Sequence, residues 1–312
     1  MKYIDVAGHK LSAMSLGTVQ LGMDYGIANN GGQPCEAQSF EMLKAAIDNG
    51  ITSLDTARAY GNSEEVLGKF FKSYEGKLPF ITTKVIDIEG ENAGEVEKSV
   101  ISIAETSLEM LGLNKVNCIM LHRSMDLFEK GQWIADAMAG LIKRGYTDIV
   151  GASVYTADEL EKMFEYDVYT ATQIPMSIFD QRLINCGMTD KLAEKNITVF
   201  VRSVFLQGLF FLDPDGMTDP ILQEYAAPKV RLLRECAEHE GMSIAELAIS
   251  YMRDVRGVSS LVLGADTAEQ VKANAAYFET KAISEKTSDV IRKAFADVNI
   301  PEIMKVLSRA KS

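Results

Sequence analysis

Histidine is scarce in this chain: His9, His122 and His239 are the three among 312 residues. So few leave no material for a His/Cys zinc centre, and no metal is expected. The four cysteines, Cys35, Cys118, Cys186 and Cys236, are widely spaced and form no Cys-x-x-Cys pair. They read as reduced thiols of a cytoplasmic protein, with Cys118 inside an apolar strand. Basic charge is also lacking. Lys and Arg total 32 against 44 Asp and Glu, a net charge of −12. Nucleic acid and anionic membranes need a basic surface and are not expected as partners. There is no run of eighteen apolar residues, so no transmembrane span is expected. The stretch from Met1 to Asp5 lacks the apolar core of a secretory signal. No Gly-x-Gly-x-x-Gly follows the first strand, which weighs against a doubly wound dinucleotide fold. No linker or shift in composition divides the chain, so one domain over 1–312 is expected. What remains is 47% hydrophobic and 24% charged, the profile of a globular protein.

Apolar β-branched runs alternate with amphipathic stretches along the whole length. Tyr3–Val6 and Lys10–Ser12 flank a turn and predict a hairpin; 13–17 is a small-residue strand. A Gly- and Asn-rich loop follows at 24–34. Further strands are predicted at 51–54, 80–84, 116–121, 148–151, 170–174, 197–201 and 259–263. Helices between and after them include 37–49, 63–74, 94–111, 127–144, 157–164, 187–195, 229–240, 244–253 and 268–277, with a helical tail at 284–308. Parallel strands buried on both faces read as such continuous apolar runs. Eight alternations predict an α/β fold: a (β/α)8 TIM barrel with an N-terminal hairpin and extra C-terminal helices.

Three successive strands end in ionisable residues. Asp55 closes the second strand, Lys84 the third and His122 the fourth, and Tyr60 follows Asp55 in the adjoining loop. One such residue alone is as well explained by a strand end reaching solvent. Together they converge on one rim of a barrel, where barrel enzymes carry their chemistry. A tyrosine hydroxyl has an unperturbed pKa of about 10. A nearby ammonium favours the phenolate, a carboxylate keeps that ammonium in place, and a neutral imidazole can orient a carbonyl oxygen. Tyr60 then protonates a developing alkoxide or removes the proton from an alcohol. No covalent nucleophile stands out, so the hydride of a carbonyl reduction must come from a cofactor.

Asp55-Thr56-Ala57-x-x-Tyr60-Gly61-x-Ser63-Glu64-x-x-Leu67-Gly68, with Thr83-Lys84 and Leu121-His122, resembles the aldo-keto reductase signature. Gly17-Thr18-x-x-Leu21-Gly22 and the stretch from Gly264 to Asn274 extend the resemblance over nearly the whole chain. It implies the same barrel and reversible NAD(P)(H)-dependent interconversion of carbonyls (aldehydes, ketones or sugars) and alcohols. By that resemblance Tyr60 is the general acid/base and Lys84 lowers its pKa. Asp55 pairs with Lys84, and His122 positions the substrate carbonyl.

The resemblance also implies a cofactor site, for NADP(H) or NAD(H), built from Gly17, Thr18, Asp55, Ser153 and Gln173 at the early strand ends. Ser203, Phe205 and Gly208 would line the pyrophosphate, Arg202 beside them would stack on the nicotinamide or contact a phosphate, and Gly264, Asp266, Gln270 and Asn274 would line the adenosine. The chain departs from the family pattern at Val154, where Asn is usual, at Met176, where Tyr is frequent, and at Arg202, where an aromatic ring stacks on the nicotinamide. Near the adenosine end Asp266 and Glu269 replace the basic residues of NADPH-preferring members, which leans toward a free ribose hydroxyl. Asp266 is equally readable as a helix cap. On the substrate side Tyr25, Arg58, His122 and Arg123 are the candidates, with Asp24 and Phe210 beside them, and their polar tilt suits a hydroxylated substrate such as a sugar. Trp133 reads as core, and the 203–228 segment as a mobile cover. The alternative function is a nicotinamide-nucleotide-binding regulatory or sensor protein with little turnover, for which potassium-channel β subunits are the precedent.

Overall fold

A computed structural model describes residues 1–26 and 31–309; residues 27–30 of the predicted 24–34 loop lie outside the described part. Two antiparallel strands, β1 (Tyr3–Val6) and β2 (His9–Ser12), form the hairpin. Eight more follow: β3 (Met14–Gly17), β4 (Ser53–Asp55), β5 (Phe80–Val85), β6 (Val116–Leu121), β7 (Thr147–Ser153), β8 (Tyr169–Pro175), β9 (Thr198–Arg202) and β10 (Ser260–Leu263). All eight pair in parallel in chain order, and β10 returns to β3 to close the barrel.

Side chains of a strand alternate between the two faces, and the barrel shows this directly. On β5 the inward set is Phe80, Thr82 and Lys84, and Ile81 and Val85 face the helices. Phe80 joins Cys118, Met120, Ala171 and Phe200 in an interior cluster, and Val6 and Leu11 of the hairpin close it from below. The outer cluster collects Leu54, Ile81, Ile119, Val150 and Val201 against the helices. The bottom of the barrel is therefore filled mainly with apolar groups and small serines such as Ser53 and Ser260, and the charged groups sit toward the carboxyl ends.

Several helices differ from the sequence reading. The predicted 127–144 helix breaks at Lys130, whose φ of −133° and ψ of 17° leave the helical region, into Asp126–Glu129 and Gly131–Lys143. Trp133 is not core: it is 39% exposed. Its helix buries Ile134, Ala137, Met138 and Leu141, a stripe that Trp133 falls outside. The predicted 187–195 helix is present as Met188–Glu194, and a short helix not predicted, Arg182–Asn185, precedes it, the two divided at Gly187 with φ of 76°. The tail divides into Glu285–Ala294 and Ile300–Arg309. The 203–228 segment holds a 3-10 helix, Leu206–Phe211, and a π turn, Leu222–Ala226. It is anchored by buried Val204, Leu206, Leu209, Phe210, Met217 and Leu222. Among the described residues no helix is long and apolar enough to cross a membrane.

Candidate active site

β4, β5 and β6 are neighbours in the barrel, so their carboxyl ends bring Asp55, Lys84 and His122 to one rim. Lys84 is fully buried. Its ammonium donates to both Asp55 carboxylate oxygens at 2.8 Å and to the Thr56 carbonyl at 2.9 Å. The Tyr60 hydroxyl is its longest contact, at 3.4 Å. Burial opposes the charge on Lys84, but Asp55 and then Tyr60 outweigh it and hold the ammonium above its ordinary pKa.

Tyr60 stands on the turn between β4 and the helix Ser63–Ser73. The turn is fastened by small residues. Ser63 Oγ lies 2.8 Å from Thr18 Oγ1, and Thr18 Oγ1 donates to the Asp55 carbonyl at 2.9 Å. The short helix Val19–Gly22 packs so closely that a side chain on Gly22 would overlap the Tyr60 carbonyl. The Tyr60 and His122 rings meet edge to face at 5.8 Å. Burial raises the Tyr60 pKa above its ordinary value, and the lowering pull of Lys84 only partly offsets this. Lys84 acts in the expected direction, lowering the Tyr60 pKa, and removal of the phenol from water is the larger, opposing effect. His122 is pushed down to about 4 by burial, Lys84 and Arg202, so its ring is neutral near pH 7.

Above the tetrad opens a cavity of about 540 Å³. Its walls include every residue predicted for the cofactor: Gly17, Thr18, Asp55, Ser153, Gln173, Arg202, Ser203, Phe205, Gly208, Gly264, Asp266, Gln270 and Asn274. Tyr25, Tyr60 and His122 line it too, with Lys84 behind them. Gln173 is paired with Ser153 in register and donates to Asp55 at 2.8 Å. Val154 and Met176 are buried in the outer core. Thr267, not Asp266, caps the helix Ala268–Tyr277, by accepting from the Gln270 backbone. Burial, with Asp24 nearby, raises the Asp266 pKa.

Two substrate candidates lie elsewhere. Arg58 donates to Glu64 at 3.0 Å, and Glu64 also accepts from Thr83 at 2.6 Å. Arg123 is drawn to Asp126 at 2.6 Å and Glu129 at 2.9 Å on the first turn after β6. Both are removed from the cavity by acids a few residues along. Phe210 is fully buried against Phe179, and its neighbour Phe211 lines the cavity instead. The sequence reading also missed Gln20, Tyr155, Gln207 and Tyr277 as lining residues. Gln20 and Tyr155 each stand two residues past a predicted site residue, the only signal that could have raised them.

The cavity carries marks of a polar ligand. Five buried atoms on its walls, Gln20 Oε1, His122 Nδ1, Arg202 Nη2, Gln207 Oε1 and Asp266 Oδ1, find no hydrogen-bond partner among the described residues. Gly264 leaves open the space that Gln20 enters. After β9 the backbone turns left-handed at Ser203, Leu206, Gln207 and Gly208, with φ of 64°, 47°, 59° and 97°. Non-glycine residues held there cost on the order of 1 kcal/mol each. Such turns can direct successive N–H groups toward an anion. The donor set therefore fits a nicotinamide dinucleotide along the β9 and β10 ends.

The sequence profile of the Aldo/keto reductase family matches residues 13–295. The chain belongs to this family. The family is one of NAD(P)-dependent oxidoreductases of carbonyl compounds. The chain is 27% identical to the L-glyceraldehyde 3-phosphate reductase of Escherichia coli K12, over 95% of this chain and 92% of that one. It is 28% identical to a putative voltage-gated potassium channel β subunit of Schizosaccharomyces pombe, over 94% and 91%. The fold matches the holo form of an aldo-keto reductase from Bacillus halodurans with a TM-score of 0.76 at 21% identity, over 94% and 96% of the two chains.

Proposed function

We propose that the protein reversibly reduces a small polar carbonyl compound with a nicotinamide dinucleotide, and that Tyr60 moves the proton. The observation that carries this is the array of buried Asp55 and Lys84 with half-buried Tyr60, opening with His122 onto a cavity of about 540 Å³. A bound nicotinamide supplies or accepts the hydride. Tyr60, protonated near neutrality, gives its proton to the carbonyl oxygen as charge develops there. Lys84 stays an ammonium and stabilises the phenolate left behind. Asp55 holds Lys84 in position rather than acting as an acid. His122, neutral, orients the carbonyl oxygen with a ring nitrogen. Gly17, Thr18, Ser153 and Gln173 hold the nicotinamide end, Ser203 to Gly208 the pyrophosphate, and Gly264 to Asn274 the adenosine.

NAD(H) is favoured over NADP(H). Asp266 has a buried, unpartnered carboxylate oxygen with Asp24 nearby, and Lys272 points to solvent. A ribose hydroxyl can donate to that carboxylate, and a 2′-phosphate would be repelled by it. The β-subunit relative supports the second reading, a nucleotide sensor with little turnover. Nucleotide binding and carbonyl turnover measured side by side on wild type and Tyr60→Phe separate the two.

A further inference from the structure

Arg202 differs from the other arginines of this chain. Of those whose side chains are described, the nine others each have a carboxylate within ion-pair distance. Among the described residues Arg202 has none. Its Nη2 is buried without a hydrogen-bond partner. Its guanidinium lies over the Tyr155 ring, 4.4 Å from the centroid, which fixes the plane of the group. Its backbone is equally fixed, paired to Pro175 across β8 and β9 and accepting from the Met176 N–H. The cation lines the same cavity as Tyr60 and His122 and is felt electrostatically at both, and at Tyr25. Asp55, the acid beside the tetrad, is already neutralised by Lys84. A half-buried, oriented guanidinium whose Nη2 is buried without a partner is suited to an oxyanion, which it can meet with directed hydrogen bonds.

We propose that Arg202 makes the carbonyl pocket selective for substrates that carry an oxyanion, a carboxylate or a phosphate, apart from the reacting carbonyl. This rests on the reading of the cavity as a carbonyl-reducing site. It assigns Arg202 to the substrate, where family resemblance assigns that position to the nicotinamide. The Tyr155 ring acts with it as a platform that keeps the guanidinium from turning out to solvent.

The test compares matched carbonyls on wild type, Arg202→Gln and Arg202→Lys. One pair is 4-carboxybenzaldehyde and benzaldehyde, the other glyceraldehyde 3-phosphate and glyceraldehyde; the two pairs distinguish a carboxylate from a phosphate source. Wild type is expected to prefer the anionic member of at least one pair by about tenfold or more in kcat/KM. Arg202→Gln should bring that ratio close to one, and Arg202→Lys should keep part of it. Calorimetric titration with benzoate and with inorganic phosphate should show binding of at least one that Arg202→Gln weakens. A ratio that is the same in wild type and Arg202→Gln overturns the proposal. So does a variant that loses NADH affinity, read by fluorescence, with the anion preference intact. Turnover of no carbonyl, with nucleotide still bound, would sink the reductase reading instead, and the benzoate and phosphate titrations would then decide the role of Arg202.

Discussion

Lys84 and Tyr60 carry opposite consequences of the same burial. For Lys84 burial threatens the charge, and only the paired carboxylate keeps it. For Tyr60 burial protects the proton, and Lys84 only moderates that. The residue that must release a proton is therefore held protonated beside a cation that can receive its negative charge. His122 has the clearest consequence in pH. Its folded pKa of about 4 lies below the ordinary 6.5, so the folded state favours the neutral ring. The stability that depends on this neutrality is present above pH 6.5 and is lost as pH falls toward 4. The shift corresponds to at most about 3 kcal/mol. Urea unfolding at about pH 7.5 and about pH 4.5 should show this loss in wild type and a smaller one in His122→Gln. Equal losses in both would mean that the ring titrates like one in solvent. Asp55, Lys84 and His122 were legible as candidates because each closes an apolar run, and Tyr60 because it follows Asp55 in the adjoining turn. Arg58 and Arg123 were not, because residue type says nothing about which nearby acid takes the guanidinium.

The decisive element is the turn that carries Tyr60. It has no regular structure of its own and takes its shape from Thr18, Ser63 and the short helix Val19–Gly22. Gly22 and Gly61 touch there through backbone, so Gly22→Ala has no flexible neighbour to push aside. The variant should lose activity by about tenfold or more through displacement of Tyr60. It should also lose about 1–3 kcal/mol of stability by overpacking, read by denaturant titration. Unaltered activity would mean that the turn tolerates movement. Strands were readable because burial on both faces leaves a continuous apolar run. The helix interruption at Lys130 was not, because apolar residues continue across it and the break is a single residue with non-helical φ and ψ.

At the scale of the whole molecule, the parallel closure of β10 on β3 brings the first and last strand ends to one cavity. Gln20 meets Gly264 across that seam, a contact between residues far apart in sequence and therefore invisible to local pattern. A ligand bound across this seam should stabilise the fold. At a hundred times its Kd, NADH is expected to add about 2.7 kcal/mol, seen as a rise in Tm. NADPH at the same concentration should raise Tm less, because of Asp266. A larger rise with NADPH would overturn the assignment of Asp266 to the ribose. The barrel, its hairpin and much of the cavity wall follow from the order of apolar runs and the polar residues at their ends; the half-buried Arg202, with no carboxylate in ion-pair distance among the described residues, required three dimensions. The most direct test of the account is carbonyl reduction by Tyr60→Phe alongside its affinity for NADH. The variant should bind NADH close to wild type and reduce carbonyls about 10²–10⁴-fold more slowly. Turnover at the wild-type rate with phenylalanine at position 60 would contradict it.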